Sequence, residues 1–390
     1  MLFVVPPLAG HVNPTVAVAA ELAAGGHQVA WTGPAEVLSG LLPARATLLP
    51  SGDRSDRSGP GGYGALHGRW RDLRGVAALR FLWEEALIPL AHGMMPGVEA
   101  AVDTYGPDVL VADQQAIAGA VIAQRRGLPW VTSATTTAEF TRPFAGFPKV
   151  GEWVTDKIAG FLAAYGAPAG WDPRFSDRLV LVFSTPELLG DGEAGPDHHA
   201  FVGPALGSRP ADASPFPWRR LDPVRRRVLV SLGTLNREAG GRFYTAVLRA
   251  AERLADHVQF IVAAPADLVG EVREDHVLLQ EYVPQLPLLP HLDAVVCHGG
   301  HNTVCEALAH GLPLVVAPVR DDQPIVAQQV AAAGAGIRVR FGRPRADEIH
   351  AAMSAVLDDP RHRRAARRIQ ASFAAAGGAA AAADRLEKLL

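Results

Sequence analysis

The chain lacks most features that mark secreted, membrane-spanning or nucleic-acid-binding proteins. It has only two cysteines in 390 residues, Cys297 and Cys305, which is too few for a disulfide framework. No stretch approaches the ~20 apolar residues that a transmembrane helix needs. The formal net charge of -3 provides none of the basic excess that a nucleic-acid-binding domain usually carries. We therefore expect a globular protein with no membrane span and no nucleic-acid partner.

The chain begins with an apolar stretch, MLFVVPPLAG, that lacks a basic leader and a cleavage site. These residues are more typical of a first β-strand than of a signal peptide. Together with the scarcity of cysteine, this predicts a cytoplasmic protein. The sequence leaves a monomer and a homodimer both open.

Short β-rich runs alternate with longer helical patterns, which favours parallel sheets built from βαβ units. The length of 390 residues is large for a single core, so we predict two α/β domains. The strands predicted for the first half are Leu2–Pro6, Gln28–Thr32, Val109–Ala112, Trp130–Ser133 and Leu179–Phe183. Those predicted for the second half are Val228–Val230, Gln259–Val262, Val277–Glu281, Ala294–Cys297 and Leu314–Ala317.

A segment rich in proline, serine and charge, PALGSRPADASPFPWRRLDP, lies between the two halves. Such a composition forms little regular structure and suits an interdomain linker. We predict a first domain over residues 1–205, a linker over 206–223 and a second domain over 224–375. Residues 376–390 should form a C-terminal helix that could pack back on the first domain.

The turn after the strand Ala294–Cys297 is the most informative part of the sequence. It contains His298, then Gly299 and Gly300, and a helix is predicted from Thr303 onward. The first turn of a helix has unpaired N–H groups and the positive end of the helix dipole, so it favours an anion. Glycine lets a ligand approach the backbone. A diphosphate is therefore a good candidate for the ligand of this turn.

Two other interpretations of the same segment stay open. Thr303 and Glu306 have the spacing of a capping box, in which Glu306 would be purely structural. Cys297, His298, His301 and Cys305 could also hold zinc, although one strand end and one helix rarely supply four converging ligands.

The first half offers a histidine and an aspartate that could act together. Asn13 suits a helix N-cap and Pro14 suits the first helical position, which would place His11 in the turn just past the first strand. A histidine there can take up a proton near neutrality. Asp113 ends an apolar strand at the same edge of the sheet, although it could instead be the N-cap of a helix over Ile117–Arg126.

The segment from Val283 to Gln323 resembles the donor-binding signature of family-one, nucleotide-sugar-dependent glycosyltransferases, in particular the macrolide-type bacterial branch. The match covers Val283-Pro284-Gln285, Leu289, His291, His298-Gly299-Gly300, Asn302-Thr303, Glu306, Gly311-Leu312-Pro313, Pro318 and Asp322-Gln323. Two further runs fit the same family, Phe201-Val202-Gly203-Pro204 and Ser231-Leu232-Gly233-Thr234. The resemblance implies the GT-B fold, in which two Rossmann-like domains face each other across a cleft.

The resemblance also implies an activity. It is the inverting transfer of a sugar from a nucleoside-diphosphate sugar to a hydroxyl of an apolar natural product, with no metal and no cofactor. Phe140, Phe144 and Phe147 could form a wall of the acceptor pocket, since such pockets are mostly apolar, although each could equally be ordinary core.

The family's roles transfer to matching positions of this sequence. Those implied for the nucleotide are base contact by Val283, stacking by Tyr282 where relatives often have tryptophan, nucleoside contact by Gln285 and ribose binding by Glu306. Those implied for the diphosphate are contacts from His298, Gly299, Gly300, Asn302 and Thr303, and from a second loop formed by Gly233 and Thr234. Asp322 and Gln323 would bind hydroxyls of the donor sugar, His11 would be the catalytic base, and Asp113 would orient it.

Three alternative functions need weighing. A non-catalytic nucleotide-sugar-binding partner of the same fold and a sugar-nucleotide epimerase both remain alternatives. A dinucleotide oxidoreductase is disfavoured because the first turn, from Pro6 to Gly10, lacks the G-x-G-x-x-G spacing. The sequence leaves the sugar, the base (UDP or dTDP), the acceptor and the O-, N- or C-linkage open.

Overall fold

A computed structural model describes residues 1–52, 68–70, 73–141, 146–190, 196–207, 209–270 and 275–390. The chain divides into two compact units, each with its own sheet and core. The first unit comprises Met1–Thr185, Gly192–Pro210 and Ala376–Leu390, and the second comprises Pro186–Asp191 and Ala211–Ala375. Both sheets are wholly parallel with helices between the strands, which confirms the predicted α/β class.

The first unit has a seven-stranded sheet in the order β3-β2-β1-β4-β5-β6-β7. Its strands are β1 Leu2–Val4, β2 Ala30–Gly33, β3 Thr47–Pro50, β4 Leu110–Asp113, β5 Trp130–Ala134, β6 Val180–Val182 and β7 His199–Phe201. Alternate residues of the central strands face opposite sides, because successive side chains of a strand point to opposite faces. Leu2, Val4 and Leu110 pack in one core cluster, whereas Phe3 and Val111 pack in another with the first helix.

The helices of this unit are α1 Ala9–Ala24, α2 Ala35–Leu41, α3 Gly75–Phe81, α4 Ile88–Tyr105, α5 Ala118–Arg126 and α6 Pro148–Ala164, with a π-helical turn at Leu82–Leu87 and a short 3-10 turn at Ala138–Thr141. The C-terminal helix, Gly378–Glu387, lies against α1. His27 Nε2 is 3.2 Å from Glu387 Oε1, and the Gly378 N–H donates to the Val202 carbonyl at 2.6 Å.

The second unit has a six-stranded sheet in the order β10-β9-β8-β11-β12-β13. Its strands are β8 Arg226–Ser231, β9 Val258–Ala263, β10 Val277–Gln280, β11 Ala294–Cys297, β12 Leu314–Val316 and β13 Gly336–Arg338. Its helices are α7 Pro186–Leu189, α8 Gly233–Asn236, α9 Gly241–Glu252, α10 Ala266–Val269, α11 Gln285–Leu288, α12 His301–Ala309, α13 Gln323–Ala332, α14 Ala346–Asp358 and α15 Pro360–Ala376, with short 3-10 turns at Pro210–Ala213, Trp218–Arg220, Arg237–Ala239 and Leu289–His291.

Both sheets have a point at which the direction of strand succession reverses. In the first unit this point lies between β1 and β4, and in the second unit it lies between β8 and β11. The loops that leave such neighbouring strands diverge, and ligands of open parallel sheets bind in the crevice between those loops. The residues that follow β1, β4, β8 and β11 are therefore the ones that the fold places at binding positions.

Two predicted helix starts are wrong. Helix α1 begins at Ala9 with Leu8 as its N-cap, and Pro14 lies inside the helix instead of opening it. Pro14 is tolerated there because proline has a helical φ and removes only one backbone hydrogen bond near the start. Helix α12 begins at His301 with Gly300 as its N-cap, so Thr303 is in the first turn and does not cap it.

Within the parts of the chain that the structure describes, no helix is both long enough and apolar enough to span a membrane. The cytoplasmic location stays a prediction.

Candidate active site

His11 and Asp113 are brought together at the edge where β1 and β4 end. His11 is in the first turn of α1, and its Nδ1 lies 3.0 Å from Asp113 Oδ1 and 2.9 Å from Asp113 Oδ2. The Asp113 side chain is fully buried, whereas 13% of the His11 side chain is exposed. The carboxylate is thus shielded behind a ring that a ligand can reach.

Asp113 does not cap the following helix. The N-cap of α5 is Ile117, and Asp113 Oδ1 instead accepts a hydrogen bond of 2.8 Å from the backbone N–H of Gln115. This short local turn fixes the carboxylate at the end of the strand. The N-cap interpretation of Asp113 is therefore wrong, and its carboxylate is oriented toward His11.

Thr135, which the sequence analysis missed, completes this group. It directly follows β5, and its Oγ1 lies 2.6 Å from His11 Nδ1 and 2.8 Å from Asp113 Oδ2. A hydroxyl has one hydrogen to donate and a carboxylate has none. Thr135 donates its hydrogen to Asp113 Oδ2, so the hydrogen bond between His11 and this carboxylate needs a hydrogen on His11 Nδ1. In that tautomer the unprotonated, basic nitrogen of His11 is Nε2. The polar run Thr135-Thr136-Thr137 after an apolar strand was the available signal.

In the second unit, His298 lies close to two glycines at the β8–β11 edge. A Cβ added to Gly233 would be 2.6 Å from His298 Cε1, and a Cβ added to Gly300 would be 2.5 Å from His298 Nε2. Gly233 also has a φ of 68°, which disfavours other residues. Both predicted phosphate loops therefore meet at one imidazole, and a Cβ at either glycine would collide with it.

Burial lowers the pKa of His298 to about 4, and the positive charge of Arg320 acts in the same direction, while the Ser231 backbone opposes it. His298 is consequently neutral near pH 7. It can donate a hydrogen bond to a phosphate, but it adds no formal charge.

Glu306 is held by another predicted nucleotide-binding residue. Gln285 Nε2 donates to Glu306 Oε2 at 2.5 Å, and Glu306 is buried in α12. Because the helix N-cap is Gly300, the capping-box interpretation of Thr303 and Glu306 is wrong. The Glu306 carboxylate and the Gln285 amide are thus held together by a direct hydrogen bond.

The loop between β12 and α13 is shaped by Gln323. Its Oε1 accepts the backbone N–H groups of Val319 at 3.0 Å and Arg320 at 3.1 Å. Gly299, with a φ of 87°, packs closely on Gln323, since an added Cβ would be 3.2 Å from the Gln323 carbonyl oxygen. Asp322 is half-buried as the N-cap residue of α13. The predicted sugar-binding pair therefore adjoins the turn that contains His298.

Comparison with known proteins identifies the chain. The chain is 30% identical to 4'-demethylrebeccamycin synthase of Lentzea aerocolonigenes over all of its own length and 99% of that protein. The chain belongs to the nucleotide-sugar-dependent glycosyltransferases. Residues 247–389 of this glycosyltransferase match the family described as erythromycin biosynthesis protein CIII-like, C-terminal domain.

Other relatives agree with this membership. Demethyllactenocin mycarosyltransferase of Streptomyces fradiae is 28% identical over 100% of the chain and 86% of that protein. Among solved structures, CalG4, the calicheamicin glycosyltransferase, superimposes with a TM-score of 0.76 at 25% identity, covering 100% of this chain and 98% of that one. The predicted GT-B fold and macrolide-type branch are confirmed.

Two of the three aromatic residues predicted for the acceptor wall lie in the described part of the chain. Phe140 packs with Phe175 and Phe201 against a small core cluster formed by Ala134, Val180 and Val182. Phe147, just before α6, is 68% exposed. Phe144 lies outside the described residues, so the acceptor wall stays a prediction.

The remaining residues predicted to bind the donor lie at the end of β10 and at the starts of α8 and α12. Tyr282 is 56% exposed just after β10, and Val283 packs against the core of the second unit. Asn302 and Thr303 are half-buried in the first turn of α12. Thr234 is part of the short helix α8, and its side chain lies outside the described part of the chain.

The zinc alternative does not fit the glycosyltransferase. Cys297 is fully buried on the core side of β11, and burial raises the pKa of its thiol to about 12, so the thiolate that binds zinc is strongly disfavoured. Cys305 Sγ contacts His301 Nε2 at 3.5 Å inside α12. Among the residues that the structure describes, no three His, Cys, Asp or Glu side chains form a group that could hold a metal ion.

Proposed function

We propose that this enzyme catalyses the inverting, metal-independent transfer of a sugar from a nucleoside-diphosphate sugar to a hydroxyl of an apolar small molecule. The observation that carries the proposal is the hydrogen-bonded group of His11, Asp113 and Thr135 at the carboxyl edge of the first sheet. The relatives named for demethylrebeccamycin and demethyllactenocin support a natural product as the acceptor. The exposed ring of Phe147 is available to contact such a molecule.

In the proposed step, His11 Nε2 takes the proton of the acceptor hydroxyl as its oxygen bonds to the anomeric carbon. The bond from that carbon to the diphosphate oxygen breaks, and its electron pair leaves with the diphosphate. Attack opposite the leaving group inverts the anomeric centre. Asp113 stabilises the imidazolium that forms, because a carboxylate on one ring nitrogen favours protonation of the other.

On the donor side, the first turn of α12 and His298 would hold the diphosphate. Gly300, the N-cap residue, has no side chain to compete for the first N–H groups of the helix. Those groups and the helix dipole favour an anion, and they would stabilise the charge that develops on the leaving group. Gln285 and Glu306 would bind the nucleoside, while Asp322 and Gln323 would bind the sugar.

The decisive experiment incubates the purified protein with UDP-glucose and with dTDP-sugars against a panel of aglycones, and detects glycosides by mass spectrometry. A conjugate with one added sugar and an inverted anomeric configuration is expected. Donor binding without turnover of any acceptor would favour the non-catalytic partner. Conversion of the sugar nucleotide in the absence of an acceptor would favour the epimerase.

Removal of divalent metal should leave the transfer rate unchanged. The charge of the diphosphate is balanced in this proposal by N–H groups and side chains of the chain itself, so chelation with EDTA should have no effect on initial rates. The matched control adds excess Mg²⁺ after the chelator. A large loss of rate that Mg²⁺ restores would contradict metal independence.

Replacing Asp113 with asparagine should lower kcat by about 10- to 100-fold with little change in the KM of the donor. The amide keeps the size of the side chain, but it cannot stabilise imidazolium as a carboxylate does. Asp108→Asn, an exposed aspartate before the same strand, is the matched control and should behave as wild type. A wild-type kcat in Asp113→Asn would show that Asp113 has no role in the proton transfer.

A further inference from the structure

Gln114 is a buried residue that directly follows Asp113, and the sequence analysis assigned it no role. Only 2% of Gln114 is exposed, and its Nε2 donates to Glu139 Oε2 at 2.9 Å. Its Oε1 is also buried, and no residue in the described part of the chain gives this oxygen a hydrogen bond. An apolar side chain would fill the same space without an unpaired polar atom, so the amide needs an explanation.

The bond to Glu139 supplies that explanation. A carboxylate accepts hydrogen bonds and has none to donate, so the amide must present Nε2 to it. Hydrogen bonds that involve a charged group are stronger than those between neutral groups. Gln114 therefore holds the half-buried Glu139 in one place, and the unpaired Oε1 is the cost of that contact.

This contact ties the stretch after β5 back to the base group. The chain leaves the group at Thr135, whose hydroxyl donates to Asp113 Oδ2 at 2.8 Å. It then forms the 3-10 turn Ala138–Thr141 and is held again at Glu139 by Gln114. Because Asp113 and Gln114 are consecutive, both ends of the stretch are attached to the same point of the first sheet.

The other side of the turn is held by aromatic packing. The ring of Phe140 lies 5.6 Å from that of Phe175 and 6.5 Å from that of Phe201. Phe140 directly follows Glu139, so the turn has a polar attachment to Gln114 and an apolar attachment to the aromatic rings. Two attachments of different chemistry leave the turn little freedom to shift relative to the base group.

We propose that Gln114 is a positioning residue for the acceptor. It acts through Glu139, by holding the turn Ala138–Thr141 where that turn contacts the acceptor and directs the reacting hydroxyl to His11 Nε2. This inference rests on the proposed function, since it assumes that an acceptor binds beside His11. Proton transfer needs the hydroxyl oxygen within about 2.6–3.2 Å of the nitrogen, so a small shift of the turn weakens productive binding.

Steady-state kinetics at saturating donor, with an acceptor that the aglycone panel identifies, tests this. Gln114→Glu places two carboxylates against each other and should raise the KM of the acceptor about 10-fold, with kcat and the donor Kd within about twofold of wild type. The double variant Gln114→Glu/Glu139→Gln exchanges the two partners. The amide at position 139 then donates to the carboxylate at position 114, and the KM of the acceptor should return to within about threefold of wild type. Gln124→Glu, the same change at an exposed position of α5, is the matched control and should behave as wild type.

The remaining outcomes each contradict the inference. An unchanged acceptor KM in Gln114→Glu, or an equal rise in Gln114→Glu and the double variant, would show that the bond does not position the acceptor. A parallel loss of donor affinity would show that Gln114 only supports the fold. If Gln114→Glu fails to fold, Glu139→Ala removes the same bond from its other end, and a wild-type acceptor KM in that variant would overturn the inference. Failure of the wild-type protein to glycosylate any acceptor would instead refute the proposed function.

Discussion

Replacing His11 with alanine should lower kcat for sugar transfer by about 10²–10⁴-fold and leave the affinity for nucleoside diphosphate nearly unchanged. The reason is that His11 contacts Asp113 and Thr135 in the first unit, whereas the residues that would bind the nucleotide belong to the second unit. The loss should therefore appear in the chemical step. Single-turnover rates and calorimetric titration of UDP or dTDP measure the two quantities separately.

His27→Ala is the matched control for this variant. His27 follows the same helix, and its ring pairs with Glu387 at the surface, away from the carboxyl edge of the sheet. It should lower stability slightly and leave kcat unchanged. Near-normal turnover of a hydroxyl acceptor by His11→Ala would refute the base, and a parallel loss of nucleotide affinity would indicate a misfolded protein.

A second test separates the base from a merely structural histidine. Thr135→Val removes the hydroxyl that contacts both Nδ1 of His11 and Oδ2 of Asp113, but it keeps the shape of the side chain. In the proposed mechanism the hydroxyl only helps to fix the ring, so its loss should cost less rate than the loss of His11. Equal losses of kcat in Thr135→Val and His11→Ala would mean that the hydroxyl is as important for the rate as the imidazole, which the proposed mechanism does not allow.

The pairing of His11 with Asp113 was predictable because parallel strands bring their carboxyl ends to one edge. Asp113 ends an apolar strand and His11 lies in the helix turn after another, so their places along the chain already indicated their places in the fold. Thr135 follows a strand in the same way. It was missed because a hydroxyl after a strand has many ordinary uses, and its role depends on two contacts that only the three-dimensional structure brings together.

The strands that the sequence did not reveal are all at sheet edges. Thr47–Pro50, His199–Phe201 and Gly336–Arg338 are the outermost strands β3, β7 and β13. Central strands of a parallel sheet are buried on both faces and read as continuous apolar runs, which makes them easy to detect. Edge strands are short and partly exposed, so their sequences lack that pattern.

The start of α12 was misjudged for a reason that bears on function. The pattern Thr303 to Glu306 satisfies the local capping rule, but the helix begins two residues earlier with Gly300 as N-cap. A threonine cap would have used its side chain on the N–H groups of the first turn. Gly300 has no side chain to do so. The local capping rule therefore fails at the turn where the proposed function places the diphosphate.

Replacing Gly300 with alanine should cost at least tenfold in nucleoside-diphosphate affinity and about 1–3 kcal/mol in unfolding free energy. The new Cβ would be 2.5 Å from His298 Nε2, closer than atoms can approach, so the imidazole must leave its position. Gly233 also lies close to this ring, since an added Cβ there would be 2.6 Å from His298 Cε1, and this limits where the ring can move. Calorimetry with UDP or dTDP and chemical denaturation measure both effects.

Gly160→Ala is the matched control because it makes the same chemical change in α6, where an added Cβ has nothing within 4 Å. It should raise stability by about 0.4–1 kcal/mol, since alanine restricts the unfolded chain and suits a helix. Nucleotide affinity should not change. If Gly300→Ala also left nucleotide affinity unchanged, the ring of His298 would have moved without consequence for binding. The diphosphate would then depend on the helix N–H groups without His298, and the role given to His298 would be wrong.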